Sequence, residues 1–418
     1  MNEFQKDHKL NRIALLVAFA CVLQIAESLI PHPIPGLRLG LANILTLTAM
    51  VTLGFGYALE VAILRTILSA FIMGTFMSPT FILSFSGAVV STLIMGFFYW
   101  LSGVYRHFRL SIIGISIIGA FSHNLVQLYM AYLLLVKHEG IFVFFPWLSI
   151  GAVATGWVVG VAAGGVCRRL AEMPNQSTKE KISTDNDASI HRHYVPGNSL
   201  LHRLPTEIKI TAVFVAALAI LFFTNFWLYL TVFISLLALA MVSKTPLITL
   251  ISQARKYISL IAVTFLLPVI FNSDTQIFAA FGSFKITYEG LHTGTVFAFR
   301  ILVLLFSSCL LMRTTSPEEM TRGLAQVLSP LKYLGISQQR VATVLSLAWT
   351  AIPYVWNTTR SAIFSDNLKN TKTLRNLIPL LSNLIAKLYL KTEPENKVWE
   401  QVRSTGTQQE SKIRCKER

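Results

Sequence analysis

Charge is what this chain has least of. Only 13% of its 418 residues are Asp, Glu, Lys or Arg, where a soluble globular protein carries about a quarter. Hydrophobic residues make up 53% and the mean hydropathy is positive, which excludes an ordinary water-soluble fold and calls for a bilayer. Acids are the scarcest of all. Between Leu10 and Val166 there are only Glu27, Glu60 and Glu139, and the aspartates (Asp7, Asp185, Asp187, Asp274, Asp366) form no cluster able to hold magnesium on a diphosphate. The four cysteines (Cys21, Cys167, Cys309, Cys415) are scattered, which excludes a disulfide framework or a zinc site. There is no Gly-x-x-x-x-Gly-Lys-Ser/Thr phosphate loop, no His-Glu-x-x-His and no Gly-x-Ser-x-Gly. The expectation is therefore no catalytic residue, no metal and no cofactor, with any ATP drive supplied by a partner.

What is present is long apolar runs. The formal net charge of +16 would suit nucleic acid, but the basic residues gather at the ends of apolar runs and in the tail, as the positive-inside bias expects of cytoplasmic loops. No nucleic-acid partner is expected. Residues 11–30 follow Lys6, Lys9 and Arg12 and lead into Pro31-His-Pro-Ile-Pro-Gly36 with no small-residue cleavage site, so they read as a retained first span.

A polar stretch, 173–205, rich in Asn, Asp, Ser, Pro and Gly, divides the chain. The fold class expected is all-α: a polytopic membrane protein of two helical bundles, 1–172 and 206–418, joined by a polar cytoplasmic linker. A span needs about 20 mostly apolar residues. The first half offers six candidates, 11–30, 39–53, 57–73, 80–101, 111–136 and 141–166. The second offers about four, 210–223, 227–242, 257–271 and 291–312. A cytoplasmic N-terminus puts the basic loop 103–109, the exit Arg168-Arg169 and the linker on one side. After Arg313 the pattern becomes amphipathic through Ala351, beginning at Ser316-Pro-Glu-Glu, with proline in the first turn and acids at the positive end of a helix. Residues 377–390 are apolar but short and carry Lys387, so they read as an amphipathic helix before a basic tail.

Ionisable groups inside spans are expensive and mark candidate sites. Arg65 is the sharpest case: Glu60, five residues away, is off its helical face, leaving either a structural pair with Glu27 across the bundle or an anionic solute. His123 and Gln127 share a face one turn apart with Asn124 beside them, suited either to helix adhesion or to a cavity wall. Arg38 and Asn43 flank Leu39-Gly-Leu-Ala42 near the outer surface, where Arg38 either closes over a ligand or snorkels to headgroups. The candidate solute site is thus Arg38, Asn43, Arg65, His123, Asn124 and Gln127, for a small anionic or strongly polar molecule. Ala14 and Ala18 form a small-xxx-small face on the first span, a pattern that permits close helix approach.

Leu29-Ile-Pro-His-Pro-Ile-Pro-Gly-Leu-Arg-Leu-Gly-Leu-Ala-Asn43, Gly74-Thr-Phe-Met-Ser-Pro-Thr-Phe81 and Gly119-Ala-Phe-Ser-His-Asn-Leu-Val-Gln127 resemble the Gx transporters, a family also called heptaprenyl diphosphate synthase component I. That family looks like the solute-capturing S component of energy-coupling factor importers, a six-helix bundle with an outward pocket. In such components an Ala-x-x-x-Ala face meets the transmembrane coupling subunit, which the resemblance carries to Ala14 and Ala18. The second half resembles that coupling subunit, the T component, on His202-Arg-Leu-Pro-Thr-Glu-Ile-Lys209, Gly290 to Arg300, Arg313-Thr-Thr-Ser-Pro-Glu-Glu-Met320, Leu328-Ser-Pro-Leu-Lys-Tyr-Leu-Gly335 and Ala351-Ile-Pro353. The resemblance implies cytoplasmic helices contacting two ABC-type ATPase subunits, with Arg322, Arg340 and Arg403 as the arginines for those contacts. The sequence departs from the family at residues 364–370, where an arginine tip is expected and none stands. Taken together, the two resemblances imply a bacterial cytoplasmic-membrane importer subunit, not itself an enzyme. The alternative is a non-catalytic membrane accessory of a prenyl diphosphate synthase.

Overall fold

A computed structural model describes residues 3–29, 40–105, 110–136, 139–172, 204–223, 225–243, 245–271, 277–281, 284–327, 338–364, 382, 383 and 385. The first half contains α1 (Glu3–Leu29), α2 (Asn43–Thr52), α3 (Phe55–Met73), α4 (Pro79–Val104), α5 (Ile112–Ala131) and α6 (Phe145–Glu172). A π-helical turn (Tyr132–Val136) and a 3-10 turn (Glu139–Phe144) lie between α5 and α6. The second half contains α7 (Thr206–Phe222), α8 (Phe226–Val242), α9 (Leu247–Lys256), α10 (Ile258–Phe271), α11 (Tyr288–Thr314), α12 (Pro317–Val327) and α13 (Gln338–Phe364).

Local chemistry sets several boundaries. α3 stops at Gly74, whose left-handed φ of 69° closes the helix end. α4 starts where the Ser78 hydroxyl accepts from Phe81 N and Pro79 fills the first helical position, where no N–H is needed. Ser111 and Thr287 cap α5 and α11 in the same manner. At α12, Ser316 Oγ accepts from Glu319 N while Glu319 Oε2 accepts from Ser316 N, a reciprocal capping box.

Among the described residues six helices are long and apolar enough to cross a membrane, within Lys9–Ser28, Phe55–Met73, Pro79–Val104, Ile112–Leu134, Glu139–Ala171 and Tyr288–Thr314. Four expected spans come out differently. The run at 210–223 becomes the 17-residue α7, outside these six. The run at 39–53 yields only the ten residues of α2, about 15 Å of helix against a hydrocarbon core of about 30 Å, and α2 is enclosed by α1, α3 and α6. The run at 227–242 becomes the 17-residue α8. The run at 257–271 becomes α10, set at 63° to the preceding apolar helix across a break. Inside the all-α frame a short antiparallel hairpin, β1 (Ile277–Phe281) and β2 (Phe284–Thr287), precedes α11.

Glycine brings α6 onto α5. A Cβ at Gly156 or Gly160 would lie 2.7 Å from the backbone of Ile117 or Ile113, so only glycine allows this approach. The other faces of α4 and α6 expose Phe97, Trp100, Trp147, Ile150 and Trp157, as lipid-facing surfaces do.

The two halves share core. One buried cluster runs from Ala14, Ala18, Leu45 and Leu64 to Val341, Leu345, Ala348 and Val355, and α1 packs along α13. A second joins Leu128, Leu134 and Ile141 to Ala240, Ile301 and Leu305. Two arginines also bridge the halves. Arg300, fully buried, donates from Nη1 to the Leu134 carbonyl (2.8 Å), from Nη2 to the Phe223 carbonyl (3.2 Å) and from Nε to Tyr229 Oη (3.1 Å). Arg340 pairs with Glu60 and lies over the Tyr57 ring. From the C-terminal region, Ser382 Oγ donates to the Ala162 carbonyl (3.3 Å); most of the segment 377–390 lies outside the described residues.

Candidate solute pocket and the interface beside it

The first half encloses a cavity walled by α2, α4, α5 and α6. Its polar lining is Asn43, Ser116, His123, Asn124 and Thr155, and its apolar lining includes Leu47, Met95 and Val159. Asn43 is reached because Gly40, at φ +69°, turns the chain into α2 and allows the Asn43 amide to pass close by. The Gly40 N–H is held by Glu27 Oε1 at 2.7 Å.

Arg65 stands behind this wall, 4% exposed. It donates from Nη2 to Asn43 Oδ1 (2.6 Å) and from Nη1 to Gln24 Oε1 (3.1 Å), and Cys21 Sγ donates to its carbonyl. The Asn43 oxygen accepts from the guanidinium, and its Nδ2 lies against Gly40. Asn124 has the opposite arrangement: its Nδ2 donates to the Leu148 carbonyl (3.0 Å), leaving Oδ1 as an acceptor. The cavity is thus lined by two asparagines, each held by one hydrogen bond, Asn43 on α2 and Asn124 on α5, and by the imidazole of His123. Side chains of this kind can hydrogen-bond a small polar molecule.

Of the residues singled out in the sequence, Asn43, His123 and Asn124 line this cavity and Arg65 buttresses it. Gln127 lies one turn from His123 beside the same glycine, Gly87: a Cβ there would lie 2.9 Å from the imidazole and 3.1 Å from Gln127 Cγ. Arg38 lies outside the described residues. Glu27, the carboxylate weighed as a partner for Arg65, holds the Gly40 turn. Ala14 and Ala18 are fully buried. Arg322 is exposed on α12, Arg340 faces Glu60 and Tyr57 of the first half, and Arg403 lies outside the described residues. Gln24, Ser116, Met95 and Thr155 did not stand out in the sequence. Gln24 is a polar residue in a span, the same signal that exposed Asn124; the others are ordinary in any membrane helix. Among the described residues no group of three or more His, Cys, Asp or Glu is placed to hold a metal ion.

The chain matches two known families in succession. Residues 16–166 match the family described as heptaprenyl diphosphate synthase component I, and residues 197–395 match the family described as cobalt transport protein. Curated relatives cover about half of the chain. The energy-coupling factor transporter transmembrane protein EcfT of Listeria innocua is 32% identical over 209 residues, 48% of this chain and 78% of the relative. Proteins of the same name from Thermosediminibacter oceani and Bacillus subtilis are 29% and 26% identical, over 78% and 81% of their own lengths. With most of the Listeria innocua protein covered at that identity, the chain belongs to the energy-coupling factor transporter transmembrane protein family.

Proposed function

We propose that this chain is a fused importer subunit, in which 1–172 captures a small solute and 206–418 relays work from two separate ABC-type ATPase subunits. The N-terminus lies in the cytoplasm, as the placement of basic residues favours. The chain catalyses no covalent reaction; its work is translocation. One observation carries the reading: α1 of the pocket-bearing half packs along α13 of the half related to EcfT, with Ala14 and Ala18 sealed in the shared core. Movement of α13 then becomes movement of the pocket by rigid-body displacement. The solute site is Asn43, Arg65, His123, Asn124 and Gln127, with Arg38 at its mouth, and Arg322 and Arg403 reach the ATPases. Fusion supports a dedicated pair, because tethering raises the effective concentration of one module at the other.

The description of the first-half family favours a second reading, a non-catalytic accessory of a prenyl diphosphate synthase. Affinity purification from the native membrane separates the two. The importer reading expects ATPase subunits and a co-purifying small polar molecule detected by native mass spectrometry; recovery of a prenyltransferase without ATPases would replace it with the accessory reading.

A further inference from the structure

Arg300 and Arg340 both cross between the halves, and their surroundings differ in kind. Arg300 has no exposed surface, and the carbonyls it holds stand at the C-terminal ends of two helices, the π-helical turn of the first half and α7 of the second. Helix C-termini carry partial negative charge, so this arginine is matched by helix ends, one from each half.

Glu60 and Arg340 are the contrasting pair. Glu60 lies in the second turn of α3 with its side chain 1% exposed, whereas the Arg340 side chain, at the start of α13, keeps 24% exposure. Tyr57, one turn before Glu60 on the same face, places its ring 4.7 Å beneath the guanidinium. The pair joins residues 280 apart in sequence. A carboxylate sealed in a bundle is costly without its partner, so the position of α13 that brings Arg340 to Glu60 is favoured over its neighbours. Arg340, being part-exposed, is the side that can leave.

The same helix leads to the cavity. Glu60 and Arg65 are five residues apart on α3, and Arg65 holds Asn43 of the pocket wall. A displacement of α13 that pulls on Glu60 is thereby applied to the element that fixes Asn43 in the pocket wall. Resting on the importer reading above, we propose that Glu60 and Arg340 form a releasable charge latch that seats α13 on the first bundle and passes its movement through α3 and Arg65 to the solute pocket, while Arg300 is the fixed pin between the halves.

The test uses the full chain, with its cysteines replaced, bound to its ATPase subunits and spin-labelled at two exposed positions, Leu93 on α4 and Ile234 on α8. The distance between the labels is measured with ADP and with ATP plus vanadate. In the wild-type background the distance changes with nucleotide. E60Q and R340Q should each shrink that change at least threefold, and E60Q/R340Q, which carries no unmatched charge and so keeps its fold, should shrink it no further. Independent, additive losses in the two single variants, or a full nucleotide response in the double variant, would overturn the latch. Failure of the ATPase subunits to bind the wild-type chain would instead remove the importer reading on which the latch rests.

Discussion

Arg300 is fully buried, with hydrogen-bond partners that are carbonyls and a phenol rather than a carboxylate. Its guanidinium suits this because its N–H groups, spread over three nitrogens in a fixed fork, reach acceptors on different sides at once, whereas an ammonium has its three donors on a single nitrogen. R300K should therefore lower the thermal stability of the detergent-solubilised protein despite keeping the charge, by about 1–3 kcal/mol for each buried acceptor left unserved. Equal unfolding temperatures for R300K and wild type would show that the three bonds contribute nothing. Arg65 holds Asn43 of the cavity wall, and in the proposed importer it acts on the solute through that residue. R65A should leave the protein inserted and weaken solute binding about tenfold, on the order of 1.4 kcal/mol, measured by calorimetry with the co-purified molecule. Unchanged affinity would detach Arg65 from the pocket.

Helix contacts set what the elements can tolerate. α6 approaches α5 at two glycines one turn apart whose missing side chains face backbone, so G160L should force the helices apart at a cost of about 1–3 kcal/mol or more. That loss would read as a lower midpoint in a thermal melt. Ala14 sits with no exposure in the core that α13 completes. A14L should overpack that contact and reduce disulfide crosslinking between cysteines placed on α1 and α13, while unchanged crosslinking would mean that this face points elsewhere. Much at this scale was legible in the sequence. Polar side chains stand out in apolar helices, which is how Asn43, His123, Asn124 and Arg65 were found, and Ser316-Pro-Glu-Glu announced α12. The half-length of α2 was not legible, because an apolar run reads alike whether it crosses lipid or is wrapped by neighbours. The partner of Glu60 was not legible either: it lies 280 residues away, and no local spacing encodes it. The cross-half role of Arg300 was hidden because two of its acceptors are main-chain carbonyls, which no side-chain pattern records.

As a whole molecule, the chain places a polar cavity and α13 on one continuous core, tied among the described residues by the buried Arg300 and the part-exposed Arg340–Glu60 pair. Tethering makes their encounter intramolecular, so the halves stay matched without competing for free partners. The sequence holds no phosphate loop, and in the proposed importer the energy comes from partner ATPase subunits. The most direct test is uptake. The full chain is reconstituted into liposomes with its ATPase subunits and given the solute that co-purifies with it. Accumulation inside the vesicles should require ATP on the ATPase side and fall to background when the ATPase subunits are omitted. Accumulation at the same rate without ATP or without those subunits would contradict the claim that this chain captures and relays while its energy comes from elsewhere.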